Sequence, residues 1–349
     1  MARISAGLLL LLLMAAPSMS AERFAFVIGQ NRGGPAASDL RFAEDDAKRY
    51  AQLLEDFAEV PDSNIRLLLH PDSGALAQTA VRMTTMLRGR GDPSDALLFF
   101  YYSGHADAEG LLLDSTRFSF SALRLMLDSM PSGVRIAVFD ACQSGVVVAL
   151  KGGARAEPFF FADRMKIRGE IWIASASASE RAQESATLKS SLFSFHFFTG
   201  LHGSADVSGD GRITAAEAYQ YAYRKTLETS ALTTGVLQHP VYRFNITGEG
   251  DVVLVDLSKR RGGIIVDTAC TGTFLILSRN YTDVFADFYK ENNREKFVAL
   301  PPGDYTIINA RDGSKIGLYR FSITGRKTIR CAAAGFQPSL LPYSGAAGQ

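Results

Sequence analysis

At 349 residues, 47% of them hydrophobic, the chain is long for one domain, comfortable for two and able to bury a large core. Its 37 basic and 36 acidic side chains leave a formal net charge of +1. That balance, without a basic stripe interleaved with aromatics, excludes a strong field for nucleic acid or for an anionic membrane.

Residues 1–20 stand apart from the fold. Arg3 supplies a positive start, Leu8 to Ala16 a short apolar run, and Ser18-Met19-Ser20 the small residues a signal peptidase reads. The apolar run is shorter than the ~20 residues a span requires, so a cleaved secretory signal is expected rather than an anchor. No later segment is apolar for long enough to span a bilayer. The mature chain is therefore expected to be exported, periplasmic or secreted, in the style of a bacterial protein.

Residues 23–29 read as a strand ending in glycine. Phe42, Ala43, Ala47, Tyr50, Ala51, Leu54 and Phe57 then recur at helical spacing, with Glu44, Asp45, Lys48 and Arg49 largely off the apolar stripe. A strand over 64–70, a helix over 76–89 and a wholly apolar strand over 95–102 follow. Further on come a helix over 118–130, buried strands over 134–139 and 171–174, and helices over 191–202 and 215–228. Strands alternating with helices predict an α/β fold, a mostly parallel sheet with helices on both faces. Such sheets bind ligands beyond the carboxyl ends of their strands. Ser103-Gly104-His105 follows one apolar strand and Asp140-Ala141-Cys142 follows another, so both reactive side chains are expected at the same sheet edge.

A cysteine peptidase needs a thiolate near an imidazole that takes up a proton and later gives it to the leaving amine. His105 and Cys142 are the candidate catalytic pair. The backbone N–H groups of Cys142 and Ala106 are the natural oxyanion donors. From the residues alone another reading stays open. A lone cysteine after a strand is commonly a core residue, and a lone histidine commonly satisfies a local hydrogen bond.

Tyr102-Ser103-Gly104-His105 and Asp140-Ala141-Cys142-Gln143-Ser144-Gly145 resemble the two hallmark motifs of the caspase/metacaspase family. Phe24 to Gly29 and Leu40 to Ala47 resemble the start of that fold, and the resemblance covers roughly residues 23–255. It implies a caspase-like fold, protein or peptide substrates, no organic cofactor and an acyl-enzyme on Cys142. Aspartate-specific members carry glutamine where this chain has Asp140. The resemblance to metacaspases implies instead that Asp140 and Asp46, with Ser103 as a further wall residue, line a pocket for an Arg or Lys side chain. A carboxylate pair favours a guanidinium or ammonium on general grounds. The family commonly places glycine after the histidine, where this chain has Ala106, and alanine tolerates fewer backbone conformations. The alternative reading is a catalytically silent caspase-like module that binds proteins. Lys151 and Arg155, in the glycine-rich segment Lys151 to Ala156, correspond in place to the loop many members cut during maturation and are candidate autocleavage points.

Residues 206–217 match a twelve-residue EF-hand loop. Asp206, Ser208, Asp210, the Arg212 carbonyl, Thr214 and Glu217 fall at the ligand positions, Gly211 at the sharp turn and Ile213 at the apolar position. Calcium of modest affinity is expected, although Gly203-Ser204-Ala205 interrupts the incoming helix and no second loop is visible to pair with this one.

Residues 259–263 read as a linker closing a peptidase domain over 21–258. Short β segments over 264–332, with a strong turn signal at Pro301-Pro302-Gly303-Asp304, predict a small β-sandwich. Residues 333–349 are expected to form a disordered tail. The three cysteines make an odd number in an exported chain. The simplest partition is a Cys270–Cys331 disulfide steadying the small domain and a free Cys142; the alternative is three buried thiols.

Overall fold

A computed structural model describes residues 21–339 apart from 35–37, 90–91, 143, 150–167, 249, 260–261, 292 and 312–314. The expected signal over 1–20 and both autocleavage candidates, Lys151 and Arg155, lie outside the described residues. The first half runs β1 (Glu22–Gly29), α1 (Ala43–Phe57), β2 (Ile65–Leu69), α2 (Ser73–Arg88), β3 (Ala96–Ser103), β4 (His105–Ala106), β5 (Gly110–Leu113), β6 (Thr116–Ser119), α3 (Phe120–Asp128), β7 (Val134–Asp140), α4 (Gly145–Ala149) and β8 (Arg168–Ala174). It continues through β9 (Glu184–Ser185), β10 (Ser190–Ser191), α5 (Leu192–Thr199), β11 (Arg212–Thr214), α6 (Ala215–Thr233), β12 (Val241–Thr247) and β13 (Val253–Asp256).

The central sheet has the order β12-β8-β7-β3-β1-β2. Every pairing in it is parallel except that of the edge strand β12 with β8. All residues of β3 and β7 are buried, which is why these strands read as unbroken apolar runs. Alternate side chains serve opposite faces. Ala25, Val27, Phe99, Tyr101 and Val138 pack with residues of α1, α5 and α6, while Phe24, Phe26, Leu98, Phe100 and Phe139 pack with residues of α2 and α3. The expected layering of helices on both faces is what forms.

Two expectations about local structure are corrected. The helix expected from Phe118 begins at Phe120, where the Ser119 hydroxyl accepts the Ala122 N–H at 3.2 Å. Phe118 instead belongs to the β4-β5-β6 hairpin sheet, whose strands of two to four residues are too short for periodicity to declare. The helix expected to run to residue 202 is α-helical only through Thr199 and continues as a π turn, Gly200–Ser204, which Gly203 breaks at φ 124°. All eight residues of α5 are buried, so this helix is apolar all round.

The chain continues as β14 (Gly263–Val266), β15 (Gly272–Ser278), β16 (Val284–Lys290), β17 (Lys296–Ala299), β18 (Gly303–Arg311), β19 (Lys315–Ile323), β20 (Thr328–Cys331) and β21 (Gln337–Ser339). These strands form a three-stranded sheet, β17-β14-β20, and a five-stranded sheet, β16-β15-β18-β19-β21. Ile264, Val266 and Val298 from the first share one core with Phe274, Ile276, Phe288, Ile307 and Phe321 from the second. Of the tail expected to be disordered over 333–349, residues 333–339 are described, and they add the strand β21. Gln337 pairs with Leu318 and Pro338 with Gly317, because Phe336 packs into the core beside Phe274 and Tyr319. The Cys270–Cys331 disulfide is not formed, and both side chains are fully buried. A turn in which Cys270 N–H donates to Asp267 O, and Asp267 N–H to Cys331 O, aims Cys270 Sγ at the Cys331 carbonyl, 3.8 Å away. Burial pushes the Cys331 thiol up to about 12, so this sulfur serves as core filling.

The two regions are joined by polar contacts. Lys296 Nζ donates to the Asp206 carbonyl at 2.7 Å, and Lys225 pairs with Asp287 at 3.0 Å. Among the described residues no helix is long and apolar enough to cross a membrane.

Candidate active site

The site is built where β3 and β7 end. Ser103 and Asp140 are register partners, and Gly104 N–H donates to the Asp140 carbonyl at 3.1 Å. A side chain at Gly104 would place its Cβ 2.6 Å from the Tyr102 hydroxyl and 3.0 Å from the Gln30 carbonyl. Only glycine allows β3 to leave the sheet so close to its neighbours. At Gly145 a Cβ would stand 2.5 Å from Ala178 N, so the chain after Cys142 lies flat against the segment leaving β8.

His105 and Cys142 each lie two residues beyond the Ser103–Asp140 pair, on adjacent strands spaced about 4.8 Å. Both are half-buried. His105 Nε2 is buried with no hydrogen-bond partner among the described residues. Burial lowers the imidazole pKa, opposed by backbone hydrogen bonds with Ser38 and Asn31 and by the charges of Glu184 and Asp39. Burial raises that of the Cys142 thiol, and the Asp140 charge adds to the rise. The Ala182 backbone, the Arg181 charge and the residue's own amide pull the other way. Both shifts favour the uncharged forms, a thiol and a neutral imidazole.

Ala106 sits in β4 opposite Leu111 and is not among the residues with positive φ. The conformational range that glycine would add is not needed there, so alanine introduces no strain.

The two carboxylates meet at this same edge. Asp46, expected to line the pocket, is fully buried although it stands next to the exposed Asp45 in the acidic first turn of α1. It accepts from the Ser190 hydroxyl at 2.6 Å, from Ser191 N–H at 2.9 Å and from Arg49 at 3.2 Å. Asp140, also buried, accepts through Oδ2 from the hydroxyls of Ser191 and Ser194, and its Oδ1 has no hydrogen-bond partner among the described residues. Ser191 thus bridges the two acids, through its N–H to one and its hydroxyl to the other. Burial pushes Asp46 up to about 8 against the pull of Ser190, Ser191 and Arg49, with the Asp140 charge adding to the rise. Asp140 is raised for the same first reason, against its serine donors. Ser103 is buried beside them.

Residues 22–240 match the caspase domain family. The chain belongs to that family. Its general class is that of cysteine peptidases acting on protein substrates. No curated protein matches the chain. Among solved structures it is similar to the crystal structure of caspase-1 from Spodoptera frugiperda, at 14% identity and a TM-score of 0.46, over 68% of this chain and 90% of that one.

Within this caspase domain, sequence reasoning missed the segment leaving β8. The Ala182 backbone and the Arg181 charge act on the thiol, the Glu184 charge reaches the imidazole, and Ser190, Ser191 and Ser194 hold the acids. The rule that directs attention beyond each parallel strand applied to β8 as well as to β3 and β7. A second signal was Ser191 three residues before Ser194, the spacing of an N-cap, and its hydroxyl accepts the Ser194 N–H at 3.0 Å.

The segment over 206–217 is a run of short side-chain-to-backbone turns leading into β11 and the start of α6. Asp206 accepts Gly209 N–H at 2.7 Å and Gly211 N–H at 3.3 Å, and Asp210 accepts Arg212 N–H at 2.8 Å. Thr214 and Glu217 form a reciprocal capping box at the start of α6. Ile213 pairs with Val255 of β13, which takes the place of the missing second loop. Ser208 reaches both Asp206, through its hydroxyl, and Glu217, through its N–H. Among the described residues no three Asp, Glu, His or Cys side chains converge into a metal-holding cluster. No step of the chemistry is routed through calcium.

Proposed function

We propose that the protein is an exported cysteine endopeptidase that cleaves after Arg or Lys. Cys142 Sγ attacks the scissile carbonyl as His105 takes the thiol proton. The C–N bond breaks as His105 returns that proton to the departing amine. Water then hydrolyses the thioester by the same route in reverse. The N–H groups of Cys142 and Ala106 are assigned to the oxyanion. The observation that supports this specificity is the buried Asp140 Oδ1, without a donor among the described residues, beside a second buried carboxyl at Asp46. A guanidinium has the fork of donors that such a pair lacks. Fluorogenic peptides ending in Arg, Lys or Asp test this reading. Cleavage after Arg or Lys is expected to exceed cleavage after Asp by about a hundredfold, and a preference for Asp sinks the pocket assignment.

We also propose that the loop over 206–217 takes up calcium, through Asp206, Ser208, Asp210, the Arg212 carbonyl, Thr214 and Glu217. The oxygen-bearing residues at these spacings and Gly211 at the sharp turn, at φ 79°, support this. At ten times its dissociation constant, calcium is expected to raise the melting temperature by ~3–6 °C over a chelated control. An unchanged melting temperature, or an equal rise in Glu217→Gln, rejects the site.

A further inference from the structure

Glu184 takes no part in the reading above, yet three separate connections of the site pass through it. It is the register partner of Ser191 in the β9-β10 ladder, and Ser191 is the residue that bridges Asp46 and Asp140. Its carboxylate crosses to the start of α1, where Oε1 accepts Phe42 N–H at 2.9 Å and Arg41 N–H at 3.2 Å, and Oε2 accepts Arg41 N–H at 3.1 Å. Phe42 occupies the N-cap position of α1 and has no side-chain cap of its own. From 142 residues away this carboxylate accepts the N–H groups of the N-cap residue and of the residue before it and sits at the positive end of the helix, while the first-turn Glu44 N–H is accepted by Asn31 Oδ1. The first turn of that helix carries Asp46. The third connection is electrostatic, since the Glu184 charge reaches both His105 and Asp140.

We propose that Glu184 is a positioning residue of this active site: its carboxylate holds the start of α1, and with it Asp46, against the β9-β10 ladder, and its negative charge prepares the His105 imidazole for proton transfer. The proposal rests on the cysteine-peptidase reading. A cap needs only an acceptor oxygen, which glutamine also has. Charge stabilisation of the imidazolium that forms as Cys142 gives up its proton needs the carboxylate. The other charged groups nearby are Asp39 facing His105, Asp140 and Arg181 facing Cys142, and Arg49 facing Asp46.

The decisive variant is Glu184→Gln in the full chain, read in three ways. These are the NMR titration of the His105 ring, the pH dependence of Cys142 alkylation by iodoacetamide, and steady-state hydrolysis of an Arg-ending peptide. The variant is expected to melt within about 2 °C of wild type, because both N–H groups keep an acceptor. The His105 titration moves to lower pH, since a charge that favoured the imidazolium is gone. The acid limb of kcat/KM moves with it, and kcat falls about tenfold with KM changed less than about twofold. A purely structural cap would lower activity without moving either profile. His105 titration and alkylation profiles unchanged from wild type overturn the proposal, whatever happens to peptides. If wild type cleaves no peptide but both profiles still move in Glu184→Gln, the peptidase reading fails while the charge link to His105 stands. Should Glu184→Gln not fold, Glu184→Asp carries the same test. Withdrawing the charge by one methylene moves the His105 titration in the same direction by less, and no movement overturns the proposal.

Discussion

Cys142→Ala is expected to abolish peptide hydrolysis, with kcat lower by on the order of 10⁴-fold or more, and to leave the fold intact. The loss follows from chemistry: without Sγ there is no thioester, and general-base help from His105 alone cannot replace it. The fold survives because Cys142 is only half-buried and the turn around it is anchored elsewhere. Gly104 N–H holds the Asp140 carbonyl, Ala141 is buried, and Gly145 lies against residues 176–178. Removing one thiol from such a place shifts stability by about 1 kcal/mol at most. His105→Ala should cost nearly as much activity, and the double variant little more than either single one, because the two side chains act as a unit. Activity in Cys142→Ala equal to wild type would sink the mechanism and favour the protein-binding module. Intact-mass measurement of the same pair of proteins also tests self-cleavage. Cuts after Lys151 or Arg155 in wild type alone mark the thiol as the agent, and cuts present in both proteins or in neither reject it.

The second large effect is expected at Asp140. Asp140→Asn keeps a carbonyl oxygen for the Ser191 and Ser194 hydroxyls but removes the charge opposite a bound guanidinium. Breaking a buried charge pair of this kind costs about 2–5 kcal/mol, so kcat/KM on Arg peptides should fall by roughly 10²–10³-fold. Peptides with a neutral residue before the cut should lose little. The same variant should be more stable than wild type near neutral pH, because an acid held in a dry pocket opposes folding until a ligand pairs with it. Equal losses on charged and neutral peptides would show that Asp140 supports the Cys142 turn rather than the pocket.

Asp46 adds a pH signature to this second prediction. Its folded pKa, about 8, lies above the model-peptide value. Folding stability from the protonated form is therefore fully present below about pH 4 and is lost as pH rises through about 8. Binding of a guanidinium draws on the opposite form, the carboxylate. KM for Arg peptides should fall as pH rises towards 8, and in Asp46→Asn this dependence should disappear while the profile of Cys142 alkylation remains.

How much of this was legible in the sequence varies from residue to residue. The parallel strands were legible because burial on both faces leaves an unbroken apolar run, as in Ala96 to Tyr102. His105 and Cys142 were legible because each directly follows such a run. Their shared edge then follows from the parallel pairing of β3 with β7. The amphipathic stripe of α1 was legible too, but the burial of Asp46 was not. Its position beside Glu44 and Asp45 suits a solvated helix face, and only the arrival of Ser190 and Ser191 from 144 and 145 residues away gives a buried carboxyl its donors.

By itself, then, the sequence determined the α/β layering, and it placed the two residues of the proposed dyad after strands that end at one sheet edge, because each is written in local periodicity and in the glycine-flanked turns that end strands. Tertiary structure alone decided the bridge from Asp46 through Ser191 to Asp140, the capping of α1 by Glu184, the docking of β21 and the separate thiols of Cys270 and Cys331. All of these depend on which segments, far apart along the chain, compete for the same buried donors, acceptors and apolar space, and no local pattern records the outcome of that competition.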